Sequence, residues 1–569
     1  MKSIKIIISV ILFSWLGISC DHDELLTEVP KDFLTPENSY TTVEGFEAAV
    51  AHLMSSVRDR IYVRSDNWAN YIMFGSDVDL GRTGQGVNDY WQSIQWQNLN
   101  ADEGNLVWMY WDNCYTWIFH ANTVINRAES DVVTWASDEE KNAIVGEAKF
   151  IRAFAYRFLA NMWGGAPLVL EETSGPKFDY TRASKSELYQ QCITDLEFAI
   201  QWMKTVDQVK GGMAPRAAAY HLLAEIKIAS GDYQGAINAA SAVINDPNYE
   251  LKTERFGVYK DFKWQGYDYQ GPNDELWGDV YWDLFREGNF NWKAGNHECI
   301  WNIQQDPDIV GGYGTGYNQF ALERHWHAWW APVDKAGYRT DFKDTLMGQP
   351  VGHMHATKYA AEDMWNYKGD WDRDIRNSKY NIQRTFYYTN RNSPYYGQVV
   401  TEDNINNPAN FFCRSTPSWK KGVPVLHHGT RGLRDGMKND GGAIFKDWYI
   451  MRLAETYLLR AEAYHLDGQN GKAADDINMI RNRAQATPVT AGEVDLDLIL
   501  DERARELYQE EYRVNTLLRM GKLVEYLRKY NGAINYFGYN IGEHLNLLPI
   551  PNREIEANKE VVLEQNPGY

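Results

Sequence analysis

The chain has 569 residues, with 57 Lys and Arg against 77 Asp and Glu, for a formal net charge of −20. That length gives room for a large core and more than one structural lobe, and 44% hydrophobic with 24% charged residues excludes an intrinsically disordered chain. The acidic balance argues against nucleic acid and against adsorption to an anionic membrane surface, because both need clustered cations. The unusual feature is aromatic: 22 Trp, 36 Tyr and 21 Phe make up 14% of the chain.

The chain opens on a short basic stretch, Met1 to Lys5, followed by an apolar run from Ile6 to Leu16 and then Gly17-Ile18-Ser19-Cys20. The run is about half the roughly 20 residues a membrane-spanning helix needs, so it reads as the core of a signal peptide. Small residues ahead of a lone Cys look like a lipoprotein cleavage box, with Cys20 as the acylated first residue of the mature chain. An ordinary secretory signal with an incidental Cys is the competing reading. Residues 20–30 contain Asp21-His22-Asp23-Glu24 and read as a solvated acidic tether. Cys114, Cys192, Cys299 and Cys413 form no CxxC pair and have no His at metal-finger spacing. They read as small buried hydrophobes, with one disulfide as the alternative.

Three stretches carry helical periodicity. Ala143 to Trp163 spaces its apolar residues at three to four and ends on Gly164-Gly165. Ala217 to Ile244 predicts a helix hairpin turning at Gly231-Asp232-Tyr233. A second hairpin runs from Leu453 to Ala484 around Asp467-Gly468. Small residues at the crossings and alanine-rich second helices are tetratricopeptide-like grammar. The expected fold is therefore mainly α: a helical-repeat scaffold with a large, irregular, loop-rich half. Its expected division is an N-terminal helical scaffold at 31–255, a loop-rich aromatic insert at 256–440, and a C-terminal hairpin with a docking tail at 441–569.

The irregular segments are 60–120 and 256–440, rich in Gly, Asn, Asp, Trp and Tyr. Residues 60–120 hold six Trp and residues 256–345 eight more, so most of the indoles lie in the least regular quarter of the chain. Long loops in compact proteins usually carry function. A sugar ring has an apolar face of C–H groups and a rim of hydroxyls. An indole covers the face while Asp, Asn or Arg bonds the rim. The candidate ligand-binding residues on this reasoning are Trp68, Asp77, Arg82, Trp91 and Trp96 in the first segment, with Asp79 beside them. In the second they are Trp282, Trp292, Trp326 and Trp329, with Trp330 adjacent. Trp108, Trp111 and Trp117 are assigned to packing. Ring-face recognition alone predicts a neutral glycan bound insensitively to salt.

Several motifs occur together. Glu147-Ala148-Lys149-Phe150-Ile151-Arg152 runs on into Trp163-Gly164-Gly165-Ala166-Pro167-Leu168. Met451-Arg452-Leu453-Ala454-Glu455 is followed by Ile480-Arg481-Asn482-Arg483-Ala484, and Glu502-Arg503-Ala504-Arg505-Glu506-Leu507 by Arg513 and Arg519. The tail carries Leu548-Pro549-Ile550-Pro551 and Gln565-Asn566-Pro567-Gly568-Tyr569. With the tether after Cys20, this order resembles the SusD/RagB family of surface lipoproteins over essentially the whole chain. The resemblance implies a tetratricopeptide-helix scaffold carrying a ligand-binding half without catalysis, anchored by lipid to the outer membrane at the cell surface. It also implies a partner, a SusC-like TonB-dependent transporter over which the lipoprotein sits as a lid. Glu502, Arg503, Arg505 and Glu506 are expected to ion-pair on a solvated helix face, and the Pro-rich tail to form docking turns.

No catalytic constellation stands out. GxSxG and HExxH are absent, and Gly471-Lys472 and Gly521-Lys522 lack the Ser or Thr of a phosphate loop. Gly311 to Gly316 reads as a flexible ligand-side loop rather than a nucleotide cradle. His325-Trp326-His327 and His353-Met354-His355 are HxH pairs without a third ligand, more often structural than metal-binding. No cofactor is expected, apart from a structural Ca²⁺ that pairs such as Asp372 and Asp374 could hold through oxygen. The function expected is capture of oligosaccharides or polysaccharide chains for delivery to the transporter. The alternatives are a peptide-binding importer subunit from the RagB branch and, more remotely, a surface glycoside hydrolase.

Overall fold

A computed structural model describes residues 39–569, except 63–71, 74, 82, 85–86, 89–95, 103, 174, 265–274, 307–308, 310–311, 313–321, 323–325, 327–332, 340–351, 353, 409–410, 412–415, 424–445 and 532–539. The proposed signal peptide, Cys20 and the tether therefore lie outside the described residues, as does Cys413. Cys114, Cys192 and Cys299 are buried and unpaired.

The scaffold is helical. Helix α1 spans Val43–Val57, α2 Tyr110–Arg127, α3 Asp138–Trp163 and α4 Lys185–Trp202. The first hairpin is α5, Arg216–Ser230, with α6, Tyr233–Ile244. The second is α7, Leu453–Leu466, with α8, Asn470–Arg483. Then come α9, Leu496–Leu507, α10, Arg513–Arg519, and α11, Leu523–Tyr530. The periodicity of α3 begins at Ala143, but the helix starts five residues earlier. Ser137 caps it by accepting from the Glu140 amide, and Asp138, Glu139 and Glu140 face the positive end of the helix dipole. Gly164, at φ 80°, stops it in a conformation that favours glycine.

Helix α3 is the central rod. From Phe150 to Trp163 every residue is buried, so its polar side chains must find partners inside. Arg152 makes a two-pronged pair with Asp195 of α4, at 2.8 and 2.7 Å. Arg157 pairs with Glu225 of α5 at 3.2 Å and lies over the Phe158 ring at 4.0 Å. The two hairpins, read separately from sequence, stack on one another. Ile228 and Ile237 of the first meet Leu459 and Ala463 of the second in one apolar cluster. The turns between their helices use Gly231 at φ 85° and Gly468 at φ 75°.

Sheet is sparse, but two strand pairs place the loop-rich part. Strand β1, Asp79–Gly81, pairs antiparallel with β3, Met354–Ala356. Strand β2, Cys299–Ile303, pairs antiparallel with β4, Trp448–Arg452, which runs straight into α7. The tail docks as its turn residues predict: the Leu548 amide donates to the Met162 carbonyl at 2.7 Å, and Trp163 Nε1 to the Pro549 carbonyl at 2.9 Å. One apolar core runs from Phe46 to Leu563.

The structure corrects one expectation about α9. Glu502, Arg503, Arg505 and Glu506 are not a solvated face; all four are buried. Glu502 binds Arg376, Arg481 and Arg505 at 2.8 to 3.0 Å. Glu506 binds Arg376 at 3.1 Å, Arg452 at 2.7 Å and Arg483. The network extends through Glu298, Asp370, Asp374, Glu510 and Lys421. It holds six cations and six carboxylates and is neutral as a whole. Charge spacing along a helix looks alike whether the helix faces water or a ring of guanidinium groups, so the sequence did not distinguish the two.

Burial alone would push the Glu506 carboxyl up. The charges of Arg483, Arg452 and Arg376 outweigh it and hold the group at about 2. The folded state thus binds fewer protons here than the unfolded chain, whose glutamates titrate near 4.3. The stabilisation is complete above that range and is lost as pH falls toward 2. Glu506→Gln, which leaves three guanidinium groups short of a charge, is expected to cost about 3–5 kcal/mol in denaturant unfolding at pH 7. The gap should narrow below about pH 4 as the wild-type carboxylates protonate.

Candidate functional site

The two irregular segments meet. In the β1–β3 pair Asp79 lies opposite Ala356 and Leu80 opposite His355. The Thr357 amide donates to the Val78 carbonyl at 3.0 Å, and its hydroxyl to the Asp77 carbonyl at 2.7 Å. Two indoles close on this seam. Trp96 Nε1 donates to the Gly75 carbonyl at 2.6 Å, and Trp326 Nε1 to Asp79 Oδ2 at 2.8 Å. The structure thus brings Asp77 and Trp96 of the first segment beside Trp326 of the second.

It also seals them from water. Asp77 and Asp79 have no exposed surface, and Trp96 and Trp326 are 3% exposed. Asp77 is taken by Arg513 of α10, through Nε at 2.9 Å and Nη2 at 2.6 Å. These residues are therefore corrected from ligand contacts to buried groups that hold the seam together. The same holds for Trp282, which is 2% exposed, stacked on Phe262 at 6.2 Å and covered by the Arg286 guanidinium at 4.6 Å. Trp292 is half-buried, stacked on His297, with its Nε1 on the Asn248 carbonyl at 2.7 Å. It stands apart from the seam. Trp68, Arg82, Trp91 and Trp329 lie outside the described residues.

Beside the seam, within the loop-rich insert, is an open cleft of about 540 Å³. Trp371, Asp372, Arg373, Lys379, Arg384 and Tyr387 line it above a base that includes Trp277, Asp374, Ile382 and Gln383. Local structure explains the wall. Asp374 caps a turn of 3-10 helix, Ile375–Asn377, by accepting from the Arg376 amide, while Asn377 Nδ2 donates back to the Trp371 carbonyl at 2.7 Å. Ile382–Gln383 then pairs with Ser418–Trp419. The Arg384 guanidinium sits 4.9 Å from the Trp371 ring centre and donates to the Ala361 carbonyl at 2.9 Å. A half-exposed indole backed by a planar fork, with amide, hydroxyl and charged groups around it, matches a sugar's apolar face and polar rim.

Gly369-Asp370-Trp371-Asp372-Arg373 has the same mixture of Trp, Asp and Arg as residues 68–96. In sequence Asp372 and Asp374 read as a pair of oxygens for a cation. Asp374 is in fact held by Arg376 at 2.9 and 2.6 Å. Among the described residues, no group of three or more His, Cys, Asp and Glu is placed to hold a metal ion.

Two other hollows suit a sugar less well. One, of similar volume, is walled by Trp111, Tyr115, Phe119, Pro167, Val169 and Leu563 with Thr173, Tyr180, Glu554 and Asn558, but its indole is only 3% exposed. The other, about 730 Å³, presents Glu44, Glu47, Glu139, Glu140 and Glu147 with one indole, Trp202. It offers many acceptors for few donors.

Burial pushes the Asp79 carboxyl up to about 7, against the hydrogen bonds from Trp326 and Ser76 that favour its charged form. A raised carboxyl pKa means the folded state holds its proton longer, so this group's contribution to stability falls as pH rises from about 4 to about 7. Asp79→Asn should therefore gain on the wild type across that window in urea unfolding, and the difference should be flat above about pH 8. A constant difference from pH 4.5 to 8 would contradict the assignment.

Comparison with known proteins adds the following. A profile described as the SusD family matches residues 273–569, and one described as starch-binding, associating with the outer membrane, matches residues 32–228. The chain is 24% identical to SusD-like protein P25 of Formosa agariphila over 99% of each chain. It is 28% identical to a SusD-like protein of Bacteroides ovatus over 46% of this chain. Among solved structures, a laminarin-binding SusD-like protein superposes with a TM-score of 0.63 at 20% identity, covering 92% of this chain and 99% of that one. Surface glycan-binding protein A from Bacteroides fluxus gives the same values.

Proposed function

The chain belongs to the SusD family, and from that membership we propose that it is a non-catalytic glycan-binding lipoprotein at the cell surface. In this reading it captures oligosaccharides or polysaccharide chains and passes them to a SusC-like TonB-dependent transporter in the outer membrane. The observation that carries the glycan reading is the Trp371–Arg384 platform in the polar cleft of the insert. The ligands for which structural neighbours are named, laminarin for one and surface glycans for another, agree in class. Anchoring rests on Cys20 following an apolar run too short to span a bilayer. Among the described residues no helix is long and apolar enough to cross a membrane.

The cleft's carboxylates support binding without turnover. Glycoside hydrolysis needs two carboxyl groups, one acid and one base or nucleophile, free to act on either side of the bond. Of the two lining this cleft, Asp374 has both oxygens engaged by Arg376, leaving Asp372 alone in the open. Calorimetry against a panel of soluble polysaccharides should find binding without release of reducing ends. Trp371→Ala should weaken it about tenfold or more, the usual cost of losing a central aromatic anchor. Absence of affinity for every polysaccharide would overturn the proposal, and copurified peptides would favour a peptide cargo instead.

A further inference from the structure

The ring-face argument expects a neutral glycan, yet the charges of the cleft are not neutral. Arg373, Lys379 and Arg384 line it, and among the described residues none of them is ion-paired with a carboxylate. Arg373 donates Nε to the Gln485 carbonyl at 2.7 Å, Arg384 donates to the Ala361 carbonyl, and the Lys379 ammonium lies 5.5 Å from the Trp277 ring centre. The two carboxylates of the lining do not balance them. Asp374 is neutralised by Arg376 of the buried network, and Asp372 is a single charge.

The contrast with the rest of the molecule gives this weight. The chain carries −20 overall, yet in the buried network of α9 six cations are matched by six carboxylates. The cleft differs from that network: three cations line one concavity with Asp372 as the one lining carboxylate not engaged by Arg376. Arg384 is the most telling. It is half-buried, and burial draws its guanidinium down to about 10, with Glu362 only partly opposing. A desolvated guanidinium with unfilled donors gains most from an arriving anion, because its fork matches two oxygens of a carboxylate or sulfate. Its position over Trp371 puts that anion at the rim of a ring lying on the indole.

We propose that the Trp371 cleft binds an anionic saccharide, one bearing carboxylate or sulfate groups, with Arg384, Lys379 and Arg373 as its charge-reading residues. This rests on the glycan reading above and adds the ligand class. The net negative field of the chain repels polyanions in general, so attraction would be local to the cleft and specific to chains whose charge spacing fits it.

The test is calorimetry on the full chain in detergent with three probes: dextran, the same dextran sulfated, and oligogalacturonides as the carboxylate arm. At least one acidic probe should bind ten times or more tighter than dextran. That preference should shrink as salt rises from about 0.05 to about 0.5 M, because screening shortens the reach of the field. Arg384→Gln and Lys379→Gln should each lower affinity for the acidic probe roughly ten- to a hundredfold, the range for a lost hydrogen bond to a charged group. The loss should be larger than for any neutral glycan the protein binds. Lys379 is exposed, so its variant keeps the test meaningful if the Arg384 variant misfolds. Dextran or another neutral glycan binding as tightly as both acidic probes, or equal losses for acidic and neutral ligands, would overturn the ligand class while leaving glycan capture standing. Failure to bind any glycan, acidic or neutral, would overturn both.

Discussion

Glu502 and Glu506 lie one turn apart on α9, and each is held by three guanidinium groups, with Arg376 shared between them. Much else in the structure follows from that arrangement. A carboxylate cannot be buried alone, so each must gather cations, and those cations must in turn be matched. The partners come from far apart in the chain: Glu298 just before β2, Asp370, Asp374, Arg376 and Lys421 farther along the insert, Arg452 at the end of β4, and Arg481 and Arg483 at the end of α8. Apolar burial stabilises such a core but has no direction. Forked guanidinium groups do, and they fix which loop meets which helix.

The consequence for function is positional. The cleft wall from Asp370 to Gln383 has little regular structure of its own, yet it is tied down at several points. Asp370 binds Arg481 and accepts from the Thr487 amide and hydroxyl. Asp374 binds Arg376, and Asn381 reaches Asp279. Trp371 is therefore carried on a loop whose flanks are tied to α8 and α9 by ion pairs. A preformed platform of this kind loses little conformational entropy when a ligand arrives.

What the sequence revealed follows the range of the forces involved. Helix α3, the two hairpins and the tail were readable because periodicity, Gly stops and Pro-rich turns act within a few residues. The stacking of one hairpin on the other, more than two hundred residues away, was not readable, because Ala and Ile pack alike against many neighbours. The charged face of α9 was misread for the reason already given: its spacing is the same in water and in a buried network. The indoles show the limit most clearly. Trp96, Trp282 and Trp326 are candidates for sugar contact in sequence because they lie in the aromatic, polar-rich irregular segments, but sequence does not say which indoles are exposed. In the fold the Gly75 carbonyl accepts from Trp96, Asp79 accepts from Trp326 and the Arg286 guanidinium covers Trp282, which is what allows them to be buried. Trp371 is left half-open at the cleft instead, and only the folded arrangement tells it from the others.

The central claim is that the ionic network, rather than local structure, holds the ligand-side wall in place. Native-state hydrogen exchange on Glu502→Gln measures this directly. The amides of residues 370–383 should lose protection together with α8 and α9, while α5 and α6 keep theirs. Residues 370–383 retaining full protection in that variant would contradict it.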